Sequence, residues 1–323
     1  MVYQVFKLLP LKIDGKAKAL LTLVVLSPTS AELLTTSTTP WEFFNPINFL
    51  ILIGLYGSGA VLVREFRIKY NLGYSSLILL GMAYGILEEG LAVESFFNPE
   101  WKDLDIFGSF GRWLGVNWVW AAYLTLFHSV WSIAVPIVIT EALFKNYSKD
   151  LWVKRRSLLL FLSSIVFITL LFNIIVIPYN AGAYAYMLCM LVIIILVEFS
   201  KLYKFPQSAS VMSPRKYFAL WFLWAWCFLI AFYVTPFIVP SPLLSIFLSI
   251  ILAIAALKLI SVLDSDESTN LHAWAFAAGP ILVLSIIDML ASLQPGSEYK
   301  LFVGALFIII ILIIYKRLKR KTA

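Results

Sequence analysis

The sequence predicts an all-α, polytopic transmembrane bundle of about nine to ten spans with both termini cytoplasmic. Three observations carry this reading. The 323 residues are 61% hydrophobic and only 13% charged, against about 25% charged for an ordinary soluble chain. Apolar runs able to cross a hydrocarbon core of ~30 Å recur from one end of the chain to the other. The Lys and Arg residues gather in short clusters between those runs, which is a topology signal.

Residues 1–45 read as a signal-anchor-like segment and an outer linker. Lys7, Lys12, Lys16 and Lys18 precede the run ALLTLVVLS at 19–27, and Thr29-Ser30-Ala31 resembles a small-residue cleavage site. A cleaved signal peptide and an uncleaved signal-anchor helix both fit; the second brings the count to ten. Residues 46–200 form a five-helix core, with spans at about 46–63, 74–94, 118–143, 157–178 and 183–200. Residues 201–323 add four spans of the same membrane domain, at about 217–238, 243–263, 271–292 and 301–315.

Assigning 1–18, 64–70, 145–156, 201–216, 258–270 and 316–321 to one side collects 22 of the 25 basic residues, leaving Lys102, Arg112 and Lys300 opposite. That asymmetry makes the first side cytoplasmic, and the acidic stretch Asp264-Ser265-Asp266-Glu267 weighs little against it. The lipid bilayer is the expected partner. Nucleic acid is excluded, because no stripe of Lys and Arg interleaves with exposed aromatics. Cys189 and Cys227 lie inside apolar runs and read as small buried hydrophobes, not as a disulfide or a metal site. Residues 95–117 carry Phe96, Phe97, Trp101, Phe107, Phe110 and Trp113. An interfacial aromatic belt explains most of this loop, which is also long enough to fold back as a lid.

Ionisable groups deep in a span cost about 2.5–3.5 kcal/mol each on insertion scales and often mark function. Glu141, Glu198 and His272 lie near cytoplasmic span ends and read as structural; Glu94 reads as solvated at the outer interface. Asp288 sits in the outer third of its span. Glu88 and Glu89, in GILEEGLAVESFFN, lie roughly 8–9 Å below the outer edge at helical rise. His128 lies roughly 15 Å below the same edge on the next, antiparallel span. Adjacent glutamates point about 100° apart, so one can face a pocket while the other faces a neighbouring helix. A carboxylate base, a water nucleophile and an imidazole that stabilises an oxyanion would make a hydrolytic site. Gly81 and Gly85 at GxxxG spacing allow close helix approach beside them.

A double-glutamate helix followed by a histidine helix resembles the glutamate-dependent intramembrane protease superfamily, which includes the type II CAAX prenyl proteases and a non-catalytic scaffold subunit of γ-secretase. Glu88 and Glu89 match the start of its EExxxR motif, and His128 in YLTLFHSVW matches the histidine of FxxxH. Val93 stands in place of the arginine and Leu124 in place of the phenylalanine. The third motif, HxxxN or HxxxD, is missing, with Asn173 in LLFNIIVIP as a substitute. The resemblance spans about 50–200 and implies Glu88, Glu89, His128 and Asn173 as catalytic, and a membrane-protein or lipidated-peptide substrate. YGILEEGLAVESFFNP and GVNWVWAAYLTLFH also resemble an uncharacterised prokaryotic membrane-protein family, which implies a prokaryotic cell membrane.

Three functions are thus expected candidates: an intramembrane peptidase, a non-enzymatic scaffold with a Glu-Glu-His clamp, and a proton-coupled transporter using Asp288 as a further relay. No cofactor is required. Zinc is compatible with two Glu and one His, although the spacing is not HExxH.

Overall fold

Capping residues and prolines set where the helices begin. Asn45, Ser213 and Ser241 each precede a proline at the first helical position, which supplies a preset φ without wasting an N–H. Asp14, Asn45 and Asn117 accept hydrogen bonds from N–H groups of the turns they start. Thr269 and His272 form a reciprocal cap. The computed structural model describes residues 14–104, 107–202 and 211–320. Lys7, Lys12, Lys204 and Lys321 of the basic clusters lie outside the described residues.

Helix α1 runs over Gly15–Pro28 and continues through a π-helical turn, Thr29–Leu33. Nine further helices are long and apolar enough to cross a membrane among the described residues: α2 Pro46–Lys69, α3 Ser75–Ala92, α4 Trp118–Leu143, α5 Arg155–Val176, α6 Ala183–Leu202, α7 Pro214–Ile238, α8 Pro242–Asp264, α9 Asn270–Ala291 and α10 Tyr299–Lys319. The only strands among them are β1 Arg112–Trp113 and β2 Val116–Asn117, an antiparallel pair in the loop between α3 and α4. The polytopic all-α bundle expected from composition is therefore the observed one.

Burial ranks the helices. In α3 and α4, 83% and 78% of the most apolar stretch is buried, against 11% in α5 and α6. The first pair forms the centre and the second pair the rim. Large apolar side chains such as Leu160, Ile174, Leu243 and Phe302 are exposed at 72–76%, a surface suited to lipid. Aromatic packing ties the C-terminal helices to the centre. Trp131 of α4 packs against Trp224 and Phe228 of α7, and the Tyr123 hydroxyl donates to the Phe228 carbonyl.

Contacts gather the connecting segments at two ends. At the aromatic end, Thr36 donates to Asp288 at 3.1 Å, Trp41 packs on Tyr299, and Phe107 stacks on Phe232. At the basic end, Lys16 pairs with Asp150, Asp264 accepts from the Tyr74 N–H, and His272 Nε2 meets the Met212 carbonyl.

Four expectations change. Arg64 and Arg67, assigned to a loop, lie within α2 and are buried. Arg64 pairs with Glu65 and Glu141, caps the carbonyls of Ser148 and Asp150, and covers the Trp152 ring at 3.6 Å. Glu94 is not solvated: it is fully buried and accepts from Ala181 N and the Tyr186 hydroxyl. Phe96, Phe97 and Phe107 turn into the protein and are at most 5% exposed, so the loop at 95–117 folds onto the bundle instead of forming only a belt. The cleavage-like Thr29-Ser30-Ala31 lies within the continuing helix, where the Ser30 hydroxyl donates to the Trp131 carbonyl of α4 at 2.7 Å.

Candidate functional site

Helices α3 and α4 approach closely because Gly81 and Gly85 present no side chain. A Cβ on Gly81 would sit 2.6 Å from Ser129 Cα, and one on Gly85 would sit 3.1 Å from His128 Cβ. Small residues at such spacing let two backbones meet. Glu88 and Glu89 follow at once on a π-helical turn, Leu87–Ala92, and His128 opens another, His128–Ala134. π-helical turns carry one extra residue per turn and re-aim the side chains they hold.

The result is a buried triad. His128 Nε2 lies 2.9 Å from Glu89 Oε1, and His128 Nδ1 lies 3.0 Å from Glu88 Oε2. All three residues are at most 9% exposed. Nδ1 is also 2.9 Å from Ser132 Oγ, and this is the aligned hydrogen bond. Glu88 Oε2 touches the ring but is buried without a hydrogen-bond partner, as is the hydroxyl of Tyr84. Glu89 is held on its other side: the Ser95 hydroxyl donates to Oε2, and Trp120 Nε1 donates to Ser95 at 3.1 Å. The ring face of His128 stacks on Tyr56 of α2 at 6.1 Å between centroids. The Tyr56 hydroxyl donates to Glu32 of α1 at 2.5 Å, and so does that of Thr38.

Chemically, an imidazole between two carboxylates can hold a proton and pass it to either side. One carboxylate, Glu89, is anchored; the other keeps lone pairs free. The donor atoms of Glu88, Glu89 and His128 all lie within 4.8 Å of one another, so these residues could hold a metal ion. Two carboxylates and one imidazole are a donor set that zinc accepts.

The structure brings together three of the four residues singled out in the sequence. Asn173 stands apart. Its side-chain amide donates to the carbonyls of Leu91 and Ala92 at 3.0 and 2.9 Å, finishing the end of α3. Asp288 is also separate, bonded by Thr36. Glu32, Tyr56, Ser95 and Trp120 were not singled out. Hydroxyls and indoles are common in membrane spans, and Glu32 follows the cleavage-like residues at the edge of a short apolar run. Its one signal was a carboxylate four residues beyond Pro28.

A mostly apolar cavity of about 310 Å³ lies beside the triad between α3, α4, α6 and α8, lined among others by Ile86, Phe96, Thr125 and Cys189. A second, polar cavity of about 630 Å³ opens at the basic end. Neither is lined by Glu88, Glu89 or His128.

No curated protein and no solved structure matches the chain. The likeness of its motifs to the glutamate-dependent intramembrane proteases thus finds no further support. One family model matches residues 21–323. By that match over nearly its whole length, the chain belongs to an uncharacterized membrane protein family.

Proposed function

We propose that the protein is a membrane-embedded hydrolase, in its simplest form a peptidase, with both termini cytoplasmic in a prokaryotic cell membrane. The single observation that carries this reading is His128 held between Glu88 and Glu89 inside the bundle. One imidazolium neutralises one carboxylate. A second buried carboxylate is more acid than a helix clamp needs, and unpaired buried charge is costly. Glu88 is the base: its Oε2 lies 3.0 Å from His128 Nδ1 but accepts no aligned hydrogen bond, so it can take a proton from a water. Glu89, fixed by Ser95, orients the ring. His128, kept on Glu89 through Nε2, would turn its Nδ1–H from Ser132 and Glu88 to the oxyanion that forms on the substrate. A zinc ion held by the same three groups would instead supply Lewis acidity and an activated water. The apolar cavity beside α3 and α4 suits a lipid-soluble segment of a membrane-protein or lipidated-peptide substrate.

A second reading has one observation in its favour. The triad is tightly packed and lines neither described cavity, which suits a non-enzymatic scaffold with a Glu-Glu-His clamp. The experiment that separates the two compares peptide fragments from membranes carrying the wild type, Glu88→Gln, Glu89→Gln or His128→Ala. Fragments that vanish in all three variants support the hydrolase. Identical fragment profiles, with each variant folded and inserted, leave the scaffold.

A further inference from the structure

The polar cavity at the basic end is bounded by the ends of α2, α3, α4, α6, α8 and α9. Its volume of about 630 Å³ falls among small-molecule pockets, roughly 300–1,000 Å³. Arg67 lines it and is 7% exposed. The Arg67 guanidinium lies over the Tyr74 ring at 4.5 Å, and its Nη2 holds both oxygens of Glu141 at 2.6 and 2.7 Å. Its Nε is buried with no hydrogen-bond partner, and a buried donor left in that state calls for an explanation. Lys145 and Lys149 also line the cavity; both are exposed, and neither has an ion-pair partner among the described residues.

Two of the lining carboxylates, Glu141 and Asp264, are already engaged. Glu141 is engaged by Arg64, Arg67 and the Tyr74 hydroxyl. Asp264 accepts from the Tyr74 N–H at 2.7 Å. Asp266 is exposed. Free cationic donors therefore outnumber free carboxylates around a pocket fed by several helix ends.

We propose that this cavity binds a phosphate group, with Lys145 and Lys149 supplying charge at its mouth and the Arg67 side chain forming part of its wall. Arginine and lysine together suit a tetrahedral phosphate, the first as a fixed donor and the second as a mobile point charge. A glycerophospholipid headgroup and a soluble phosphate ester present the same anion, and the cavity is large enough for either. This site is independent of the Glu88–His128–Glu89 centre.

The test uses the full-length protein in phosphatidylcholine nanodiscs. One arm titrates inorganic phosphate and glycerol 3-phosphate by calorimetry; the other follows retention of phosphatidylglycerol by native mass spectrometry. The double variant Lys145→Gln/Lys149→Gln changes only exposed side chains, and its thermal unfolding is measured alongside. The wild type should bind saturably in at least one arm. The double variant should bind at least about tenfold more weakly, as expected when charged hydrogen bonds are lost. Retention of the lipid alone identifies a headgroup site, and binding of the solutes alone identifies a soluble phosphate; either upholds the proposal. No saturable binding in either arm, or equal binding by a folded double variant, overturns it.

Discussion

Ser95 fills one Glu89 carboxylate oxygen with a hydroxyl proton, itself steadied by Trp120, whereas Glu88 Oε2 accepts no aligned hydrogen bond. If Glu89 positions and Glu88 reacts, the two should fail differently. Ser95→Ala should reduce the turnover of any identified substrate by about tenfold, the scale of one lost hydrogen bond to a charged group, whereas Glu88→Gln should abolish it. A Ser95→Ala enzyme as dead as Glu88→Gln would contradict this division. Arg64 poses a stability question instead. Arg64→Ala leaves Glu65 and Glu141 short of a buried partner, and should cost about 3–5 kcal/mol, read from equilibrium unfolding in mixed detergent micelles. The triad was legible in the sequence because carboxylates and imidazoles stand out in apolar runs. Arg64 and Arg67 were not, because a basic residue after an apolar run looks the same whether it faces headgroups or turns inward to Glu141. Asn173 enters through the resemblance, as a substitute for the missing third motif, and a motif position says nothing about the two carbonyls its amide caps.

Among the elements, the π-helical turns form a pattern. Glu32, Tyr56, Glu88, Glu89 and His128 all sit on such turns, in four different helices. Helical periodicity drawn at 3.6 residues per turn could not foresee how these groups converge, since each wide turn shifts the register that follows it. Helix existence, by contrast, was plain from hydropathy, and Asn-Pro and Ser-Pro pairs mark where several helices start. Close contact of α3 and α4 depends on Gly81. Gly81→Val should push α4 away, destabilise the protein by at least the roughly 1–3 kcal/mol usual for overpacking, and lower activity with it. A Gly81→Val variant with wild-type melting and turnover would show that the contact is slack. Helix α1 has a similar claim on the centre, since its Ser27 hydroxyl bonds the carbonyls of Tyr56 and Ser132. A chain starting at residue 34 should therefore lose thermal stability and the Glu32–Tyr56 bond together, and full stability in that truncation would refute the point.

At the scale of the molecule, the two ends are chemically unlike, and the basic excess is the ground for the proposal that the Lys149 end faces the cytoplasm. On intact cells an impermeant maleimide should label a cysteine placed at Leu114, which is 90% exposed, whereas one placed at Lys149 should be labelled only after the membrane is opened. The reverse pattern would invert the proposed topology. The buried Arg64–Glu141 pair has a consequence for biogenesis. Arg64 on α2 emerges from the ribosome before Glu141 on α4, with Trp152, whose N–H reaches Glu65 at 3.1 Å, later still. Until α4 arrives, α2 carries a guanidinium that lipid accepts poorly, so the translocon should retain these helices and release them as a group. Nascent chains stalled before Glu141 should crosslink to the translocon, and chains extended well past Trp152 should not; equal crosslinking by both would mean that each helix partitions alone.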